Sequence, residues 1–201
     1  MLIVFVLWTV LVCTFDVKPI GPNRTSVGLA TINGFFHRLT GVNMTLYNIT
    51  DWLGLVPIFF AMSFAVLGLV QWITRRDIRK VDYDILGLGV FYIAVVAVYI
   101  LFEIVVINYR PTLIEGFLEV SYPSSTTMLV MCVMPTAIMQ FNVRIRNSGF
   151  KKCVNFLIKF FVVFMVIGRF ISGVHWLSDI VGGVILSAGL VMMYYSVFKS
   201  K

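Results

Sequence analysis

Two ionisable residues near the start of the last apolar stretch have the spacing of a nucleophile and its partner. His175 and Asp179 are four residues apart, so on a helix they share a face and the carboxylate can accept a proton from one imidazole nitrogen. The other nitrogen is then held free, and a neutral imidazole oriented in this way is a good nucleophile toward phosphorus. The spacing therefore predicts a phosphohistidine at His175 that water later hydrolyses.

Other polar residues near the ends of the apolar stretches are suited to bind phosphate. Arg169 lies six residues before His175, and the guanidinium groups of Arg169 and Arg110 can clamp phosphate oxygens. A helix that starts after Pro123 with serines and threonines offers backbone N–H groups and hydroxyls to an anion. The residues expected to bind phosphate are Arg110, Ser124, Ser125, Thr126 and Arg169.

Each of these features also has a purely structural explanation. Arg110 could anchor at lipid headgroups, the hydroxyl residues could be ordinary helix caps, and His175 with Asp179 could be a satisfied buried pair. The distribution of lysine and arginine between the loops, described below, does not depend on these features and places all of them on one membrane face. This agreement favours a phosphate site.

The composition identifies the elements that must position these residues. Hydrophobic residues make up 60% of the 201 and charged residues 12%, which is far too apolar for a soluble domain. Apolar windows of membrane-spanning length occur at 55–73, 85–107, 124–142, 154–172 and 177–197, with a shorter sixth at 1–15. We predict an all-α polytopic membrane protein, a six-transmembrane-helix bundle in a single domain, 1–201.

The single domain is predicted to have three parts. Residues 1–15 form a first span, a retained helix that looks clipped at its start and lacks the basic region and cleavage site of a signal peptide. Residues 16–53 form an outer segment, and residues 54–201 form a five-span catalytic core. In the outer segment, Leu29 and Phe36 belong to a near-helical apolar pattern that suits an interfacial helix, and an irregular polar loop is the open alternative.

Basic residues orient the predicted helices. Most of them fall in two short loops and at the C-terminus, which are therefore expected in the cytoplasm: Arg75, Arg76, Arg79, Lys80, Arg144, Arg146, Lys151, Lys152, Lys199 and Lys201. Alternation through six spans then puts both termini inside and the candidate site outside. The net charge of +7 is explained by topology, so we expect the lipid bilayer as a partner and no nucleic acid.

The order of the motifs resembles a known family. Arg110-Pro111, then Pro123-Ser124-Ser125, then Arg169 with five residues to His175 and three more to Asp179 is similar to the type 2 phosphatidic acid phosphatase family, over about 55–197. The resemblance implies six helices and a site on the outer face, in a bacterial plasma membrane. It also implies removal of phosphate from lipids such as phosphatidate, phosphatidylglycerophosphate or undecaprenyl diphosphate, without a metal or cofactor.

Carried over to this sequence, the resemblance assigns a role to each matching residue. It makes His175 the nucleophile and Asp179 its orienting partner. Arg110 and Arg169 become phosphate ligands, and Ser124 and Ser125 become part of the phosphate cradle. These roles agree with those inferred from the residues alone.

Two positions depart from the family pattern. Glu103 stands where the family has a lysine, and we expect it to pair with Arg110 if the helix continues that far. Thr126 stands where the family has a histidine that acts as general acid, and loss of such an acid costs about 10²- to 10⁴-fold in rate for a poor leaving group. A lipid diphosphate expels a far better leaving group, which predicts a preference for diphosphates.

Two other residues could replace the general acid, and a different function is possible for the chain as a whole. His37 could reach over from the outer segment, or a protonated Glu103 could act as the acid. The chain as a whole could instead be a catalytically weak or inactive family member, which binds lipid phosphate headgroups as a sensor, carrier or subunit.

Overall fold

The computed structural model describes residues 1–198 as a bundle of α-helices. Lys199 and Lys201, expected on the cytoplasmic side, lie outside these residues. The helices are α1 (Leu2–Thr14), α2 (Ala30–Thr40), α3 (Met44–Leu53), α4 (Leu55–Arg75), α5 (Tyr83–Ile104), α6 (Ser125–Arg144), α7 (Ser148–Ile171) and α8 (Leu177–Phe198). The described part of the chain has isolated β-bridges and no strand, so the all-α prediction is confirmed.

Five helices, α4 to α8, are long and apolar enough to cross a membrane. The α1 helix is apolar but has 13 residues, so it rises only about 20 Å against a hydrocarbon core of about 30 Å. The polytopic helical bundle is therefore confirmed, with five full-length helices and one shorter apolar helix. A membrane crossing by α1 stays a prediction.

Helix boundaries differ from the predicted windows where polar residues define them. The α7 helix begins at Ser148, six residues before the predicted window, because the Asn147 side chain accepts a hydrogen bond from the Phe150 N–H at 3.0 Å and caps the first turn. The α5 helix ends at Ile104 rather than 107. Hydropathy therefore located these helices but did not detect the cap.

Helix α6 lies at the centre of the bundle and packs against α4, α5, α7 and α8. Helix α1 packs against α8, where the Trp8 indole N–H donates to the Ser178 carbonyl at 3.1 Å. The Thr9 hydroxyl lies 2.7 Å from the Tyr122 hydroxyl, just before α6. These contacts hold the starts of α6 and α8 together.

The two short basic loops lie at the same end of the bundle. Arg144, at the end of α6, pairs with Asp84, at the start of α5, at 2.8 Å. Arg75 pairs with Asp82 at 2.8 Å across the α4–α5 loop. The candidate site lies at the opposite end, where α5 and α7 finish and α6 and α8 begin, and its orientation toward the outside stays a prediction.

The outer segment contributes two helices to the end of the bundle that carries the site. On α2, the Asn33 side chain donates to Ser178 Oγ at 2.9 Å and accepts from the Ser178 N–H at 3.0 Å, which joins α2 to the first turn of α8. On α3, Thr50 packs so closely against α7 that a Cβ at Gly168 would lie 2.8 Å from its methyl group. The location of α2 at a membrane interface stays a prediction.

Candidate phosphate-binding site

The loop between α5 and α6 folds back on itself and presents two site residues side by side. At its base the Ser121 N–H donates to the Asn108 carbonyl at 2.9 Å, and the Arg110 N–H donates to the Glu119 carbonyl at 3.0 Å. We call residues 108–121 the hairpin loop. Its backbone pairing sets Arg110 opposite Glu119 and Ser121 opposite Asn108, which brings Arg110 and Ser121 to the base of the loop although they are eleven residues apart.

His175 lies between α7 and α8 and is only 3% exposed. Its Nε2 atom lies 3.4 Å from Arg110 Nη1, and its Nδ1 atom lies 3.0 Å from the hydroxyl oxygen of Ser121. The hairpin loop therefore contacts both nitrogens of the ring.

The predicted direct hydrogen bond between Asp179 and His175 was wrong. Helix α8 begins at Leu177, so His175 precedes the helix and the four-residue spacing does not bring the two side chains together. Within residues 1–198, Asp179 instead accepts hydrogen bonds from the hydroxyl of Ser121, which lies between the two groups, and from the Trp176 N–H at 3.0 Å. Asn108 Nδ2 donates to its other oxygen at 3.0 Å.

The environment of His175 favours its neutral form. Burial lowers the pKa of the imidazole well below its usual range, and the positive charges of Arg110 and Arg169 lower it further. A hydrogen bond to the Ser121 backbone acts in the opposite direction without reversing the shift of the pKa. The ring is therefore an uncharged base at neutral pH, which is the protonation state a nucleophile requires.

Arg169 is 1% exposed at the end of α7 and is held by α3 and α6. Its Nη2 donates to Thr126 Oγ1 at 2.7 Å and to Asp51 Oδ1 at 3.2 Å. The Tyr47 ring lies below both guanidinium groups, 4.9 Å from that of Arg169 and 5.8 Å from that of Arg110. The two arginines therefore converge on one tyrosine of the outer segment.

The buried polar atoms that have no hydrogen-bond partner among residues 1–198 include two where an anion would bind. They are Nε of Arg169 and the hydroxyl oxygen of Ser124, which is fully buried at the N-cap of α6. A serine at this position usually caps its own helix, but here the side chain makes no cap hydrogen bond. Unsatisfied buried donors are costly, and phosphate oxygens would satisfy them.

The remaining predicted phosphate ligands lie at the start of α6. Ser125 is the first residue of this helix and is half-buried, while Thr126 is directed toward Arg169. The Ser124 N–H donates to the Asp179 carbonyl at 3.1 Å, so the start of α6 is fixed against α8. The structure therefore brings the predicted phosphate ligands and the predicted nucleophile to one end of the bundle.

Glu103 and His37, the two alternative proton donors, lie at the edge of this cluster, and Glu103 lines a small cavity with Ser121 and Ser125. Glu103 is exposed on the last turn of α5, and its predicted pairing with Arg110 was wrong: the helix ends at Ile104, and Arg110 Nε lies 2.9 Å from a Glu119 carboxylate oxygen instead. The ring of His37 packs 5.3 Å from that of Trp176, and burial lowers its pKa. In the described chain neither side chain hydrogen-bonds to His175 or either arginine.

Sequence reasoning missed four residues of this site: Asn108, Ser121, Tyr47 and Asp51. Asn108 and Ser121 each lie two residues before a motif, so polar neighbours of the motifs were a usable signal. Tyr47 and Asp51 are four residues apart on α3 and share a face, but nothing in the sequence connects that face to the site.

The side chains at the site suit an anion rather than a metal ion. Among residues 1–198 there is no group of three or more His, Cys, Asp or Glu side chains that could hold a metal. Two arginines, a hydroxyl without a partner and a helix N-terminus provide donors and positive charge instead.

Comparison with known proteins agrees with this geometry. Residues 105–201 match the family model of the PAP2 superfamily, and they contain the hairpin loop, α6 and the His175 region. This part of the chain therefore has the sequence features of the PAP2 superfamily. The family predicted from the order of the motifs is thereby confirmed.

The PAP2 fold extends over nearly the whole chain. A crystal structure of a transmembrane PAP2 type phosphatidylglycerolphosphate phosphatase from Bacillus subtilis matches with a TM-score of 0.68 and 17% sequence identity, covering 99% of this chain and 94% of that one. The outer segment and α1 therefore have counterparts in that fold. No protein of curated function matches the chain by sequence.

Proposed function

We propose that this PAP2 protein is a membrane lipid phosphatase that transfers the terminal phosphoryl group of its substrate to His175 and then to water. The observation that supports this most is the arrangement around the ring. His175 Nε2 faces Arg110 at 3.4 Å, and the deeply buried Arg169 is close enough to lower the pKa of the ring. A phosphate held by these arginines would be in reach of the nitrogen that attacks it.

The first step forms a bond between His175 Nε2 and phosphorus and breaks the bond between phosphorus and the leaving oxygen. Arg110 and Arg169 stabilise the charge on the other phosphate oxygens, and the Ser124 hydroxyl donates to one of them. In the second step, water attacks phosphorus and the P–N bond breaks, which releases inorganic phosphate and restores the neutral imidazole.

We further propose that lipid diphosphates are preferred over monoesters. The Thr126 side chain is bound to Arg169 Nη2, and a threonine hydroxyl is too weak an acid to protonate an alkoxide. A diphosphate expels a lipid phosphate, which leaves without a proton. The phosphatase from Bacillus subtilis is named for a phosphate monoester, so that lipid belongs among the test substrates.

The test is phosphate release in detergent from phosphatidate, phosphatidylglycerophosphate and undecaprenyl diphosphate, with the parent and His175→Ala. We expect release that His175→Ala abolishes and that is fastest for the diphosphate. Release that survives His175→Ala would rule out the phosphohistidine. Lipid phosphate binding without release from any of the three would identify the chain as a binding protein, such as a sensor, carrier or subunit.

The orientation of the site has a separate test. We propose that it faces the outside of a bacterial plasma membrane, with both termini in the cytoplasm. Single cysteines introduced at Glu115 in the hairpin loop and at Arg146 in a basic loop, in a cysteine-free background, report the side directly. An impermeant thiol reagent applied to intact cells is expected to label the first position only, and the reverse pattern would overturn the assignment.

A further inference from the structure

Ser121 occupies an unusual place between the predicted nucleophile and the predicted carboxylate. It is 2% exposed, and its backbone N–H is fixed by the Asn108 carbonyl at the base of the hairpin loop. Its hydroxyl oxygen contacts His175 Nδ1 at 3.0 Å and also one oxygen of Asp179. One serine thus makes the connection that the four-residue spacing predicted as a direct bond.

The chemistry of Asp179 sets the direction of these hydrogen bonds. An ionised carboxylate only accepts, and Asp179 already accepts from Asn108 Nδ2 at 3.0 Å and the Trp176 N–H at 3.0 Å. The Ser121 hydroxyl must therefore donate its proton to Asp179. Its oxygen is then free to accept the proton of His175 Nδ1.

We propose that Ser121 is a positioning residue that holds His175 in the tautomer protonated on Nδ1, so that Nε2 carries the lone pair that attacks phosphorus. The opposite contact agrees, because Arg110 Nη1 at 3.4 Å is a donor and needs an acceptor on Nε2. The arginine that holds phosphate and the lone pair that attacks it then lie on the same edge of the ring.

The same connection stabilises the intermediate. When Nε2 forms its bond to phosphorus, the imidazole ring gains positive charge and Nδ1–H becomes a stronger donor to Ser121. Among residues 1–198 Asp179 makes no hydrogen bond to the ring, so the hydrogen bond that links its negative charge to the ring runs through the serine hydroxyl. Losing a hydrogen-bond partner that orients a metal-bound histidine typically costs about 10- to 100-fold, and we expect a loss of kcat of the same order for Ser121→Ala.

The tautomer can be measured without any turnover. The chain has only two histidines, so ¹⁵N spectra of the ring nitrogens in detergent assign His175 directly once His37→Gln has identified the other signals. The parent is expected to show the Nδ1-protonated tautomer, and Ser121→Ala a mixture of tautomers. Ser121→Thr keeps the hydroxyl and is expected to restore the parent spectrum.

The expected loss of kcat in Ser121→Ala rests on the proposed function. The tautomer of His175 does not, because it can be measured in a protein that has no phosphatase activity. Ser121→Ala is expected to lower kcat for undecaprenyl diphosphate with little change in KM, and Ser121→Thr to recover most of it. Ser187→Ala removes another buried serine hydroxyl, on α8 and outside the site, and serves as the matched control. An Nε2-protonated ring in the parent, or Ser121→Ala with an unchanged spectrum, would overturn the role of Ser121 even in an active enzyme.

Discussion

The His175 side and the Arg169 side of the site differ in how completely their polar atoms are satisfied. On the His175 side, both ring nitrogens and both oxygens of Asp179 have partners, and all these groups are buried. On the Arg169 side, one guanidinium nitrogen has no partner among the described residues, and Asp51, which binds another, has a side chain 56% exposed. We call the His175 side the closed side, because its polar atoms have partners. We call the Arg169 side the open side, because a buried donor there remains available to a ligand.

This difference indicates where the chemistry of the chain is constrained. A closed network loses its function when any one partner is removed, because the others are left buried and unsatisfied. An open region tolerates substitution, and Thr126 lies in it, hydrogen-bonded to Arg169. The departure from the family pattern at Thr126 therefore falls on the side that can accommodate it.

The largest effect after loss of the nucleophile is expected from Arg169→Gln. This change removes the charge that Thr126 and Asp51 contact and is expected to lower kcat/KM for undecaprenyl diphosphate by about 10²- to 10³-fold. Arg146→Gln in a basic loop is the matched control and should be near parent. Equal losses in both variants would mean that the open side does not bind phosphate.

A gain of activity is expected from Thr126→His if the open side lacks only a proton donor. Phosphatidate hydrolysis should rise by about 10²-fold or more, because the alkoxide leaving group then receives a proton. Undecaprenyl diphosphate hydrolysis should rise far less. Rates for both substrates are compared with those of Thr74→His, a change at an exposed position near the end of α4, in the half of the bundle away from the site. Equal gains on both substrates would remove the leaving-group argument.

The closed side also predicts how His175 titrates. Its folded pKa is depressed, so a ¹⁵N titration of the ligand-free protein should show the ring still neutral at pH 6.5 and charged only at much lower pH. Because the unfolded chain binds this proton more readily, the free energy of unfolding should fall as the pH drops below about 6.5. A midpoint near 6.5 would contradict the burial of the ring.

The smallest effect is expected from Asp51→Asn, which releases Arg169 from a half-exposed ion pair at 3.2 Å. Such pairs contribute about 0.2–1 kcal/mol, so inorganic phosphate should inhibit the variant at concentrations lower by at most about five-fold. Asp77→Asn, at the opposite end of the bundle, is the control. Weaker inhibition in Asp51→Asn would mean that the carboxylate supports the site rather than competing with the ligand.

The sequence predicted the fold class and the residues that converge, but only part of the geometry. Hydropathy located five long helices, and motif order identified Arg110, Ser124, Arg169 and His175. The direct bond inferred from the spacing of His175 and Asp179 was wrong, because that inference requires both residues to lie on one continuous helix and α8 begins after the histidine. A helix start depends on hydrogen bonds that hydropathy does not report.

The contribution of the outer segment could not be predicted either. Tyr47 and Asp51 reach the arginines through the packing of α3 against α7, a long-range contact that depends on Thr50 fitting against Gly168. No local pattern carries that information. Polar residues beside the motifs, such as Asn108 and Ser121, were within reach of sequence reasoning because chain proximity places them near the site.

The hairpin loop also determines where the chain can change in length. Its tip turns at Gly116, which has a φ of 85° and open space around the position of a side chain, so extra residues there would extend outward and leave the base intact. One residue added between Asn108 and Arg110 would shift the backbone pairing and move the arginine away from Ser121. Relatives of this chain are therefore expected to vary in loop length at the tip and to keep the number of residues at the base.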